Sequence, residues 1–132
     1  CGFYQPEAMA SATEGIEVDY QSRVANPFAA ILYKTCPDRA DAMDLVGILP
    51  QPLDETNCDI HYFMLVFDDV NSDQELIQFQ QGILMQDRII LENQRPRELP
   101  LERGAEITIR ADAASIQYRR WIKDMGIGFG TL

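Results

Sequence analysis

The hydrophobic period of this chain changes once, at Ser72, and that change restricts it to a sheet followed by a helix. Before it, residues 17–25 alternate, with Val18, Tyr20 and Val24 on one parity. Three further segments, residues 28–35, 42–49 and 58–67, are short, apolar and rich in β-branched or aromatic side chains, so each is expected to be a strand. Pro37-Asp38-Arg39 separates two of them as a turn, and Pro50, Pro52, Asp54 and Asn57 mark a loop before the last. Connections this short join neighbouring strands head to tail, which gives an antiparallel meander. Residues 1–15 show no period and are expected to be loop or a frayed end.

After the change, Ser72-Asp73-Gln74-Glu75 has the form of a capping box: the Ser72 hydroxyl accepts from the Glu75 amide, and the Glu75 carboxylate reaches back to the Ser72 amide. The spacing predicts a helix from there to about Gln94, stopped by Pro96 because the residue before a proline avoids the helical region. Residues 97–109 read as an extended connection with a short strand at 106–109. Asp112 is placed to cap a second helix running to about Met125, with Gly126 as its left-handed stop. Strands first and helices last give an α+β domain, a curved antiparallel sheet with a long helix across it, in one unit over residues 1–132.

One residue fits that helix badly. Leu76, Phe79, Ile83, Asp87 and Ile90 step by three or four and share a face, so a carboxylate falls in an apolar stripe. Burying it is costly unless a cation, a metal or a set of hydrogen bonds receives it. The readings that stay open are a salt bridge to Arg88, Arg95 or another basic residue, a helix rotated so that Asp87 is exposed, or a metal ligand or acid/base group at the floor of a pocket between helix and sheet. His61 is the only histidine, so the chain alone makes no two-histidine site.

A formal net charge of −10 disfavours nucleic acid or an anionic membrane as a general partner. The late cations, Arg95, Arg97, Arg103, Arg110, Arg119, Arg120 and Lys123, read as a solvated face, and Trp121 among them as core packing. Cys1, Cys36 and Cys58 are odd in number and form no C-x-x-C pair. Free thiols in a reducing, cytoplasmic setting are the simplest reading. No apolar run is long enough to span a bilayer. A start at Cys1 is read as that of a fragment cut from a longer protein.

The stretch Asp87-Arg-Ile-Ile-Leu-Glu92-Asn-Gln94-Arg95-Pro96, then Leu99-Pro-Leu, Arg110-Ala-Asp112 and Tyr118-Arg119-Arg120-Trp121, resembles the C-terminal part of Rieske non-haem iron oxygenases of the vanillate O-demethylase, dicamba monooxygenase and phenoxybenzoate dioxygenase type. The D-x-x-[IV]-[LIV]-E-x-Q-R helix is its specific element, and the likeness covers the chain from about Ala42 onward. It implies a helix-grip (START-like, Bet v 1-like) domain in which a sheet wraps a long C-terminal helix. It implies a mononuclear Fe(II) held by two histidines and one aspartate, the aspartate matching Asp87. Phe79, Ile83, Ile90 and His61 would then border an aromatic substrate's pocket, with Glu92 and Gln94 supporting the ligand or anchoring the helix.

The departures are as specific. The family's D-x-x-H-x-x-x-x-H iron motif is absent from the chain, and so is the C-x-H pair that its 2Fe-2S cluster needs beside a C-x-x-H pair. The resemblance therefore implies a C-terminal piece of an oxygenase subunit, inactive by itself. The whole subunit would use O2, electrons from NAD(P)H through a reductase or ferredoxin, and a homotrimeric assembly. The competing reading is a stand-alone START-like module that binds an apolar small molecule and does no chemistry.

Overall fold

The computed structural model describes residues 2–6, 14–36, 39–102 and 104–132. Pro37 and Asp38 of the expected turn, Cys1 and Arg103 lie outside the described residues. Five strands, β1 (Gly2–Gln5), β2 (Ile16–Asn26), β3 (Ala29–Thr35), β4 (Met43–Pro52) and β5 (Cys58–Leu65), pair in sequence order, every neighbour antiparallel. The 20-residue helix α1 (Asp73–Glu92) follows, then a 3-10 turn (Arg110–Asp112) and α2 (Ala113–Asp124). This is the expected α+β order of a helix-grip domain, an antiparallel meander and then a long late helix.

Local chemistry accounts for the connections. Asn26 Oδ1 accepts from the Phe28 amide at 2.8 Å and turns β2 into β3. Asp54 Oδ1 accepts from the amides of Thr56 (2.8 Å) and Asn57 (2.9 Å), closing the β4–β5 hairpin. The capping box forms as expected, with the Ser72 amide on Glu75 Oε2 at 2.8 Å and the Glu75 amide on Ser72 Oγ at 3.4 Å. Gly126, at φ +69°, ends α2 in a Schellman motif: its amide reaches the Lys123 carbonyl, and that of Ile127 the Ile122 carbonyl.

Four expectations are corrected. Residues 2–5 are a strand, because β2 is long enough to pair with it over Ile16–Asp19 after pairing β3 along its other half. β4 continues through Pro50 and Pro52, since β3 pairs it only as far as Ile48 and the prolines need no donor on that side. Residues 106–109 form no strand; the backbone pairing of this region goes instead to Leu99 and Thr131, where the chain end folds back. Asp112 stands at the N-cap of α2 but spends its carboxylate on the Ile109 amide, at 2.8 Å.

The two sheet faces differ. Val18 and Asp44 are buried on one, with Val46, Ile48, Tyr62 and Met64 half-buried on the same parity. The other carries Leu49, His61, Phe63 and Leu65, all exposed. On that face Gly47 lies opposite Phe63, whose ring occupies the space a Cβ on Gly47 would need. Tyr118 reaches from α2 to the Pro27 carbonyl at 2.8 Å, and its ring meets half-buried Trp121 edge-on, centroids 6.4 Å apart.

Candidate functional site

Helix α1 carries most of the candidate residues, and its burial is one-sided and one-ended. Leu76, Phe79, Gln80, Ile83 and Leu84 are half-buried and form a stripe at helical spacing. From Met85 to Glu92 every residue is exposed. Asp87 continues the stripe one turn past Ile83, where cover has run out. The expected burial of its carboxylate is therefore absent in this chain: Asp87 is exposed, and so is Ile90, at 65%. The periodicity gave the correct face. The depth is lacking because, among the described residues, no strand packs closely on any part of α1, and past Leu84 no other cover remains.

The supporting residues lie apart from Asp87. Glu92 pairs with Arg88 at 2.7 Å on the surface, an i,i+4 contact worth about 0.3–0.5 kcal/mol. Gln94 lies beyond the helix end and is exposed, its carbonyl accepting from Arg95 Nη1 at 2.6 Å. His61 is exposed as well, its Nε2 2.9 Å from Gln51 Oε1, on the opposite sheet face from Val18 and Asp44. A mononuclear facial site needs two histidines and a carboxylate. Among the described residues no three His, Cys, Asp or Glu side chains converge, so these residues alone do not fit a held iron ion.

A cleft of about 710 Å³ opens between residues 100–108 and α2, and none of the sequence-derived candidates lines it. Its walls pair charges, Arg119 with Glu106 at 2.6 Å and Lys123 with Glu102 at 2.8 Å. The late cations are thus partly spent in ion pairs.

The residue that obeys the rule applied to Asp87 is Asp44. It is 7% exposed near the start of the largely apolar strand β4 and accepts from the Phe67 amide at 3.0 Å. Lys34 lies directly across the β3–β4 register from it; burial pushes the Lys34 pKa down, and the Asp44 carboxylate opposes that. The signal was legible in Met43-Asp44-Leu45-Val46, a lone acid inside a strand, by the reasoning that had singled out Asp87.

The surface as a whole is large. A folded monomer of 15.0 kDa exposes roughly 7,000 Å² by the usual mass scaling, against 9917 Å² here. Exposed apolar side chains contribute, among them Leu65 at 64%, Ile89 at 64% and Leu91 at 63%. No described helix is long and apolar enough to cross a membrane.

Comparison with known proteins gives these features a context. Residues 4–126 match the model of the vanillate O-demethylase oxygenase C-terminal domain. The chain is 47% identical over 131 residues to a probable methylxanthine N7-demethylase, NdmC, of Pseudomonas sp. (strain TJI-51), a match covering 99% of this chain and 46% of that protein. Its fold superposes on a Pseudomonas putida CBB5 NdmA QL mutant with caffeine at a TM-score of 0.65 and 25% identity, covering 82% of this chain and 31% of that one. The chain spans less than half the length of these relatives. With a five-stranded antiparallel meander, a capped late helix and a family match over nearly all its length, it belongs to the vanillate O-demethylase oxygenase C-terminal domain family of the Rieske oxygenases.

Proposed function

We propose that this chain is the C-terminal part of the catalytic domain of a longer Rieske oxygenase subunit, and that Asp87 supplies the one carboxylate of its mononuclear Fe(II) site. The observation that carries this reading is the position of Asp87, on the half-buried stripe of α1 but past the point where the stripe is covered. A helix face that is apolar, periodic and uncovered is suited to a partner surface, and the excess of exposed area over that of a monomer of this mass supports one. The two histidine ligands would come from outside residues 1–132. Phe79, Ile83 and Ile90 would form the apolar wall of the substrate pocket, with Glu92 and Gln94 fixing the helix end beside it. His61, exposed on the other sheet face, is the weakest member of that set.

The reaction class is oxidative demethylation of a methylated aromatic or heteroaromatic compound, supported by the demethylase names of the family and of the NdmC relative. One atom of O2 enters the methyl group, which leaves as formaldehyde; the other becomes water; NAD(P)H supplies two electrons through a reductase or ferredoxin and a 2Fe-2S cluster. The subunit is expected to work as a homotrimer in the cytoplasm. The test is the full-length protein with its reductase, NADH, O2 and a panel of methylxanthines and methoxybenzoates. One formaldehyde per NADH consumed is expected with at least one compound. Ligand binding with no formaldehyde and no NADH use would instead favour the non-catalytic binding module.

A further inference from the structure

The chain leaves the sheet for α1 through residues 66–72, and three side chains from two other segments hold the peptide at the start of that passage. Asp44 Oδ1 accepts from the Phe67 amide at 3.0 Å. Cys36, 1% exposed, donates its thiol to the Phe67 carbonyl at 3.9 Å. The Arg39 guanidinium sits over the Phe67 ring, 4.6 Å from its centroid. The next residues are fixed locally: Asp68 Oδ1 accepts from the amides of Val70 (2.9 Å) and Asn71 (2.8 Å), and Ser72 then caps the helix. From Phe67 to the first turn of α1 there is little slack.

This matters because, among the described residues, neither a strand nor α2 packs closely along α1. No residue of it is fully buried, and its half-buried positions stop at Leu84. Asp87 lies fourteen residues on from Asp73, about 21 Å along the axis at about 1.5 Å per residue. A tilt of about 5° at the root of a lever that long moves the carboxylate by about 2 Å, ten times the roughly 0.2 Å that a metal–ligand distance tolerates.

We propose that Asp44 is a positioning residue: by holding the Phe67 peptide it fixes the direction in which α1 leaves the sheet, and so where Asp87 lies. The inference rests on the proposed ligand role of Asp87 for its purpose, but not for the clamp itself. The clamp needs an oxygen acceptor at the Asp44 position. Asp44→Asn retains one, whereas Asp44→Ala leaves the Phe67 amide without its partner.

The experiment is amide hydrogen exchange on the full-length protein as wild type, Asp44→Asn and Asp44→Ala, with iron per subunit measured on the same samples. In Asp44→Ala the amides of residues 67–76 should exchange about tenfold faster or more, the effect of losing one charge-assisted hydrogen bond, while those of β2 and β3 stay unchanged. In Asp44→Asn all should stay near wild type, and iron should fall in the alanine variant alone. Arg39→Ala, at the surface, is the milder variant if Asp44→Ala does not fold, and should speed the same amides by about two- to threefold. Unchanged exchange at 67–76, equal loosening of the whole sheet, or an asparagine variant that behaves like alanine would each overturn the clamp. If exchange changes as stated and iron does not, Asp44 holds the Phe67 peptide without setting the position of Asp87, and the positioning role is overturned; the ligand role of Asp87 is tested apart from it, by iron content in Asp87→Ala.

Discussion

Gly47→Ala tests the packing of the sheet in a way that turns on one neighbour. Gly47 does not have a positive φ, so alanine suits its backbone, and in open space the change would stabilise by about 0.4–1 kcal/mol through the unfolded chain. The space is not open: the new Cβ would meet the ring of Phe63. Phe63 is 41% exposed, so roughly three-fifths of the about 1.5–3 kcal/mol that full burial of such a ring provides, about 1–2 kcal/mol, is lost if the ring swings out. The two effects leave Gly47→Ala between neutral and about 1.5 kcal/mol destabilising. In a Phe63→Ala background the obstacle is gone, and the same change should stabilise by about 0.4–1 kcal/mol. Urea denaturation of the wild type, both single variants and the double variant measures all four terms. An equal cost of Gly47→Ala in both backgrounds would refute the account of this cross-strand pair.

Two other outcomes follow from the connections. Ser72→Ala removes the acceptor for the Glu75 amide and should cost about 1 kcal/mol, seen as a lower denaturation midpoint; an unchanged midpoint would show that α1 does not depend on its cap. Asp54, Asp68 and Glu75 are each held below the usual carboxylate range by backbone amides, those of Thr56, Asn71 and Ser72 first. Their contribution to stability is complete above about pH 4.5 and is lost as pH falls through the lowered folded values, so thermal midpoints should drop below about pH 4 and do so less in Asp68→Asn. A midpoint that is flat down to pH 2.5 contradicts this.

The order of elements was readable because local signals agreed with one another. The alternation of β2 as far as Tyr20, the hairpin residues Asp54 and Asn57, the capping box at Ser72 and the stop at Gly126 all act within a few residues and stand in the structure, whereas Val24, expected on the parity of Val18, is exposed. What was not readable depended on distant partners. Residues 2–5 became a strand only because β2 offered them an edge, and 106–109 did not become one because no described strand pairs with them. The site divides in the same way. Helical spacing placed Asp87 on the stripe of Phe79 and Ile83, but spacing carries no information on whether that part of the stripe is covered, and in this chain it is not. Asp44, buried and bonded to the Phe67 amide in the connection after β5, satisfies the same chemical rule through a partner distant in sequence.

Metal analysis of the full-length protein, as wild type and as Asp87→Ala, addresses the ligand role most directly. The wild type should hold mononuclear iron in addition to its 2Fe-2S cluster, and the variant should lose the mononuclear iron while the visible spectrum of the cluster is unchanged. Full mononuclear iron in Asp87→Ala would contradict the assignment of this carboxylate as a ligand.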